Sequence, residues 1–268
     1  MTITRVGRVS AIAAVTLLSA VAPVFAQTAP SLGSAESYAV LGGSTVTNTG
    51  TSTITGNIGV SPGSSVTGFP PGVVVSGTVH SADASAAGAQ AAVTTAFNAL
   101  GAQPVTQDLS GTNLGGLTLT PGVYVFSSSA QLTGALTLNA LGNPAAVFIF
   151  RTGSTLTTAS GSSVVMIGGG SPCNVYWQIG SSATLGTTTA FAGNILALTS
   201  ITLNTAATIL NGRALARNGA VTLDTNTISA RNCSASIAVP ALSEWAAILL
   251  AVLLAAAGAI ALSRRTAA

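Results

Sequence analysis

The chain has 268 residues, of which 48% are hydrophobic and only 5% charged, with a formal net charge of +3 and arginine as its sole basic residue apart from one histidine. Arg5, Arg8, Arg264 and Arg265 lie in the terminal segments. Between Gln27 and Ala238 the remaining arginines, Arg151, Arg213, Arg217 and Arg231, are balanced by Glu36, Asp83, Asp108 and Asp224. A nucleic-acid surface needs clustered basic charge and is excluded. The roughly 210 residues between the two ends suffice for one domain with its own core.

Residues 1–26 have the layout of a secretory signal peptide. Arg5 and Arg8 precede the apolar run "AIAAVTLLSAVA", and "VFA" before Gln27 is a small-residue cleavage site. The run is short and Pro23 interrupts it, which argues against a first transmembrane helix.

The following block, "LGGSTVTNTGTSTITGNIGVSPGSSVTGFPPGVVVSGTVH", reads as short threonine-rich strands punctuated by glycine and proline. The pattern changes in "SADASAAGAQAAVTTAFNALG", where Ala82, Ala86, Ala89, Val93, Ala96, Phe97 and Leu100 recur at helical spacing. One helix is predicted over about 81–100. Ser81 is the expected cap, Asp83 suits the first turn and Gly101 the end. Its inner face is mostly alanine, suited to close packing along a β surface.

Beyond the helix a phrase repeats: Thr118-Leu-Thr, Thr137-Leu-Asn, Thr155-Leu-Thr-Thr158, Thr184-Leu-Gly-Thr187, Thr202-Leu-Asn-Thr205 and Thr222-Leu-Asp-Thr225. The steps are 19, 18, 29, 18 and 20 residues, and the long one absorbs the insertion "GGGSPCNVYW". A period near 20 marks a solenoid. Stretches such as "GVYVFS", "AVFIFR" and "GNILAL" are β-branched or aromatic and bounded by turns, so the repeat is built of strands. Three short strands and three corners per coil, stacked about 4.8 Å apart, fit that length. The leucine after each first threonine should face the core and the threonine should face out.

Cys173 and Cys233 both fall in the exported region, where a bridge between them is the expected state. With His80 they offer no metal-ligand spacing, and no cofactor motif is present. Parallel β-helices include polysaccharide-acting enzymes, but acid–base cleavage needs paired carboxylates, and the acids here are scattered. An enzyme is not expected. Tyr176 and Trp177 read as core; Arg213 and Arg217 read as surface or helix-edge partners for acids such as Asp224.

The segments "YAVLGGSTVTNTGTSTITGNIGVSPG", "TPGVYVF", "AVFIF", "VYWQIGSSATLG" and "ITLNTAATILNGRALARNGAVTLDTNTI", in this order around the alanine-rich helix, resemble the ice-binding-like family of β-solenoid antifreeze proteins from about Leu32 to Ser229. The resemblance implies a mainly β fold, a right-handed, discontinuous, three-sided solenoid with one α-helix alongside. It also implies ice or ordered water as the partner, met by a flat face of motifs of the type Thr-Ala/Gly-x-Thr/Asn. Thr205-Ala-Ala-Thr208 fits that pattern, while the stretches from Thr158, Thr187 and Thr225 fit it in part, which implies moderate activity. The expected ice-binding residues are Thr155, Thr158, Thr184, Thr187, Thr202, Thr205, Thr208, Thr222 and Thr225, on a domain of residues 27–238 expected to be monomeric. A surface adhesin or matrix spacer on the same fold is the alternative. Continuity decides between them: an outward threonine array unbroken across at least three coils favours ice.

The last segment, residues 239–268, begins "VPALSEW" and resembles the IPTL-CTERM sorting tails of Gram-negative bacteria, with Val239 and Ala241 departing from Ile-Pro-Thr-Leu-Ser-Glu-Trp. The apolar run from Trp245 to Leu262 is long enough to cross a bilayer, with Arg264 and Arg265 on the cytoplasmic side. Before any processing the tail would hold the exported chain to the inner membrane; the final form would be secreted or carried on the cell envelope.

Overall fold

The structure, a computed structural model, describes residues 27–230. The predicted signal peptide, the C-terminal tail and Cys233 lie outside them. The described residues form a β-solenoid in which every strand pairing is parallel. A seven-stranded sheet makes one wall, and a fifteen-stranded sheet bends to make the other two.

The stack is discontinuous in sequence. It starts near Gln107–Asp108 and rises coil by coil to the strands of residues 208–229. The N-terminal coils then complete it: Val40 lies opposite Ala214, Val46 opposite Val221, and Ile54 opposite Ile228. Strands Asn57–Val60, Ser65–Thr67, Val73–Ser76 and Val79–Ser81 close that end.

Helix α1, Ala84–Gly101, returns the chain to the far end of the stack. Its 18 residues span about 27 Å at 1.5 Å per residue. The seven strands of the first wall, at about 4.8 Å each, span about 29 Å, so helix and stack match in length. The buried residues Ala89, Val93, Ala96 and Leu100 pack with Tyr38, Leu41, Val123, Ile149, Tyr176, Leu196 and Leu215 on the second wall. The start differs from expectation. Asp83, in extended conformation, caps the helix by accepting from Ala86 N at 2.8 Å, whereas Ser81 ends an edge strand and donates its hydroxyl to Ser64 O at 2.6 Å. The other Asp83 oxygen lies 2.7 Å from His80 Nδ1, tying the helix start to the last coil.

Inside the coils, alternate residues fill one apolar core. Trp177 is fully buried as expected and stacks on Phe150 with centroids 4.0 Å apart; Phe150 stacks on Tyr124 at 5.4 Å. Among the described residues no helix is long and apolar enough to cross a membrane.

Candidate functional site

The seven-stranded wall runs through strands Ala130–Leu132, Leu156–Thr158, Ala183–Leu185, Ile201–Leu203, Val221–Asp224, Thr45–Thr49 and Ser65–Thr67. The core-facing partners are Leu132, Leu156, Ala183, Leu185, Ile201, Leu203, Val221, Leu223 and Val46. Each residue between two such partners points outward, and the pairings put these residues in one column. The column reads Gln131, Thr157, Thr184, Thr202, Thr222, Thr47, Thr67. Six consecutive rungs are threonine.

A second outward column lies two residues earlier on each strand, at about 6.8 Å. It carries Ser129, Thr155, Ser182, Ser200, Ala220, Thr45 and Ser65, so every rung there is small. The unit shared by five of the seven rungs is therefore Ser/Thr-apolar-Thr, not the Thr-Leu phrase. With six intervals along the stack, the two columns form a strip about 29 Å long free of aromatic or charged side chains.

The nine threonines predicted for the site separate into five groups. Thr184, Thr202 and Thr222 stand in the central column, and Thr155 stands in the neighbouring one, with its Oγ1 2.8 Å from Ser129 Oγ. Thr187, Thr205 and Thr225 are exposed at the corner that follows the strands. The Thr205 hydroxyl donates to Asp224, as does that of Thr225 at 3.1 Å, so both are turned to a carboxylate.

Thr158 and Thr208 are corrections. Thr158 is 3% exposed: its strand pairs Leu156 with Ala183, which sets position 158 in line with inward Leu185. Its Oγ1 meets Thr189 Oγ1 at 2.8 Å and accepts from Gly186 N at 2.9 Å. Thr208 lies past the corner, on the third wall, opposite Ala190 and Thr227. Thr118 and Thr137, the first two copies of the phrase, pair with each other on that wall as well. It carries exposed Val73, Val165, Ile167 and Leu210 among its threonines and offers no comparable array.

Thr157, Thr45, Thr47 and Thr67 were not among the predicted residues. The signal for them was present: Thr155-Leu-Thr157, Ser182-Ala-Thr184, Ser200-Ile-Thr202, Thr45-Val-Thr47 and Ser65-Val-Thr67 share the unit named above.

Among the described residues, no protein group takes the hydroxyls of Thr157, Thr184, Thr202 or Thr67, which leaves them for water. Thr47 Oγ1 and Thr222 Oγ1 lie 3.4 Å apart. β-Branching restricts each threonine rotamer, so the hydroxyls and methyls repeat with little disorder.

Charge is directed elsewhere. Arg213 was expected at the surface beside Asp224. It is 2% exposed and donates from Nε (3.2 Å) and Nη2 (2.7 Å) to Glu36 O, and from Nη1 (2.8 Å) to Asn194 Oδ1. Its strand position faces the helix wall, so the guanidinium staples the N-terminal turn Gly33–Ser37 to the coils; burial lowers its pKa. Arg217 lies over the Phe97 ring at 4.9 Å, and Arg151 Nη1 donates to Gln103 O at 3.1 Å. All three arginines among the described residues thus point to the helix side. Asp224, opposite Thr49, is the charged group nearest the threonine columns. No group of three His, Cys, Asp or Glu side chains converges among the described residues. Cys173 sits in the turn Pro172–Asn174, and its expected partner is beyond the described range.

The comparisons agree with this architecture. Residues 40–229 match the family described as Ice-binding-like, and residues 237–265 match the IPTL-CTERM motif. An ice-binding protein of Nostoc sp. (strain HG1) is 64% identical over 198 residues, covering 74% of this chain and 73% of the relative. A crystal structure of an ice binding protein from an Antarctic Biological Consortium superposes with a TM-score of 0.74 at 50% identity, covering 77% of this chain and 93% of that one. That of the Antarctic ascomycete Antarctomyces psychrotrophicus gives 0.73 at 41% identity, with 76% and 100% covered.

Proposed function

This chain belongs to the ice-binding-like family, and on that premise we propose that it is an exported ice-binding protein, inhibiting ice recrystallisation through its seven-stranded threonine wall. The observation that carries the reading is the column of six consecutive outward threonines. A receptor for ice must repeat because ice does. Stacked coils repeat at about 4.8 Å and outward residues along a strand at about 6.8 Å, both of the order of oxygen repeats on ice planes. Each threonine offers a hydroxyl to the water network and a methyl that orders water beside it. Its restricted rotamers lose little entropy on binding, and the absence of charge along the columns leaves no competing hydration shell.

The face in this reading is Thr157, Thr184, Thr202, Thr222, Thr47 and Thr67, flanked by Thr155, Thr45, Ser182 and Ser200. The domain works as a non-catalytic monomer of residues 27–238, without metal or cofactor. A Cys173–Cys233 bridge pins the chain after its last coil. Export through the N-terminal signal and sorting through the tail put it in the envelope of, or outside, a Gram-negative cell. A plain spacer is the weaker reading, because nothing in a spacer requires six consecutive outward threonine rungs on one wall, four of them with hydroxyls that no protein group takes, and a mixed apolar surface on another.

Ice shaping and recrystallisation inhibition by residues 27–238 test this. Activity that falls in Thr184→Tyr and Thr202→Tyr, with circular dichroism unchanged, is the expected result. A folded domain with no effect on ice sinks the proposal.

A further inference from the structure

The two ends of the stack are finished differently. The lower end, around Gln107–Asp108 and Thr118–Leu119, closes on three inward leucines: Leu109 is 7% exposed, Leu114 0% and Leu119 8%, with half-buried Leu117 packed beside them. At the upper end the last coil supplies one inward valine from each wall. Val66, Val74 and Val79 lie in register with the buried Val46, Ile54 and Ile58 of the coil below. None of the three is itself buried, and Val79 is 46% exposed. The apolar core is therefore shut at one end and open at the other.

The rim around these valines is unpaired. Strands Ser65–Thr67, Val73–Ser76 and Val79–Ser81 each pair with the coil below and, among the described residues, with no strand above. Thr78 O accepts from Ile58 N at 3.0 Å, and Ala82 N donates to Val60 O at 2.9 Å. The peptide groups of Val79 and Ser81 alternate with these, so they point away from the stack. Such an edge is a template for another strand, and proteins commonly blunt it with charge. Here the run from Ser61 to Ser81 contains no lysine, arginine, aspartate or glutamate. Pro70 and Pro71 stand at a corner and on none of the three strands. The lower end, by contrast, carries Asp108 on an edge strand of two residues.

We infer that this open coil is a docking surface for a second copy of the chain, and that two molecules adsorbed on one ice plane pair through it end to end. The inference rests on the ice-binding reading above. A three-sided, uncharged rim is met on all sides at once only by another such rim; an extended peptide would meet one side. The closed lower end offers no open core, so upper end meets upper end about a two-fold, and assembly stops at two. With both threonine walls on the same ice plane, that two-fold is normal to the plane. Ser65–Thr67 then runs antiparallel to its own copy about Val66, and Val73–Ser76 runs beside Val79–Ser81 of the other molecule. The corner at Pro70 and Pro71 meets the small run Ser61-Pro-Gly-Ser64, the two helices lie on opposite flanks, and the threonine columns of the pair are coplanar. Strands of three or four residues bound an end of on the order of a few hundred Å², under the roughly 800 Å² each partner gives to a standard stable interface. The domain accordingly stays a monomer in dilute solution. Adsorption concentrates and orients the copies before they meet, which offsets the cost of association.

The test places a cysteine on the two-fold. Facing Cα atoms on an antiparallel rung lie about 4.5–5.5 Å apart, within the roughly 4.4–6.8 Å that a disulfide spans. Val66→Cys therefore links two copies that meet rim to rim. The full sequence with this substitution is expressed in a Gram-negative host, and the exported chain is purified and partitioned into slowly grown ice under a mild thiol oxidant. Non-reducing gels compare linked dimer in the ice and in the liquid, with the parent chain as blank. Dimer enriched on the order of tenfold in the ice is expected. Adding Val79→Lys should abolish it, and adding Thr118→Lys at the closed end should not. Uptake into ice should be equal for all of these chains, because none loses an outward residue of the threonine columns. Chain in the ice without linked dimer, or dimer that survives Val79→Lys, overturns the pairing and leaves ice binding standing. Equal dimer in both fractions overturns pairing on ice as well. A folded parent chain that neither enters the ice nor inhibits recrystallisation removes the ice reading and this inference with it.

Discussion

Thr47 and Thr222 are 175 residues apart in sequence, yet they stand on adjacent rungs of one column with hydroxyl oxygens 3.4 Å apart. The pair lies at the seam where the N-terminal coils complete a stack begun after the helix. The threonine wall therefore crosses the seam without interruption, and its length depends on correct docking of two distant parts of the chain.

That continuity predicts that bulk at any central rung is felt alike, whichever side of the seam it sits on. Thr47→Tyr and Thr202→Tyr should each lower recrystallisation inhibition on the order of tenfold, equivalent to about 1.4 kcal/mol, whereas Thr208→Tyr, on the third wall, should leave it near the parent value. A dilution series of each purified variant measures the endpoint. Equal losses at all three positions would contradict the assignment of the face.

Thr158→Val separates the buried threonine from the outward ones. The substitution keeps the shape and leaves Gly186 N–H without its acceptor, so stability should fall by about 1–3 kcal/mol. Ice activity per folded molecule should be unchanged. Urea denaturation and recrystallisation assays on the same preparation report the two quantities.

Arg213→Met should cost about 3 kcal/mol. It removes a buried cation together with its bonds to Glu36 O and Asn194 Oδ1, and it leaves the fully buried Asn194 Oδ1 without that donor. Hydrogen exchange should show the loss first at the turn Gly33–Ser37 and the strand after it, because these are what the guanidinium holds.

Tyr176 gives the fold an alkaline limit. Burial against the helix pushes its phenol up to about 12 from the ordinary 10.0. The neutral form is favoured in the folded state, so this contribution is fully present below pH 10. It is lost as pH rises from about 10 to about 12, in all by about 3 kcal/mol. Tyr176→Phe should flatten that part of the stability profile and change little at neutral pH. An unchanged alkaline slope would show that Tyr38 and Tyr124, also raised by burial, carry the effect.

Much of this molecule was legible in the sequence because its elements are local. Alternation in "SATL" and "SITL" gave strands with Leu185 and Leu203 inward, as found, and the alanine spacing located the helix to within a few residues at either end. The period near 20 gave a solenoid, and the threonines at 184, 202 and 222 follow from it. What the repeat could not supply was register. Side chains alternate with a period of two, so a shift of two residues preserves every inward and outward assignment while changing which threonine neighbours which. The Thr155 copy is displaced by that amount: Thr157, not Thr155, lies opposite Thr184, and Thr158 is turned inward. Corner lengths and the packing of one coil on the next decide this, and both involve residues far apart in sequence. The same holds for the seam at Thr47 and Thr222 and for the inward turn of Arg213. Local chemistry determined that the chain would coil and carry threonine; contacts between coils decided which threonines form a surface.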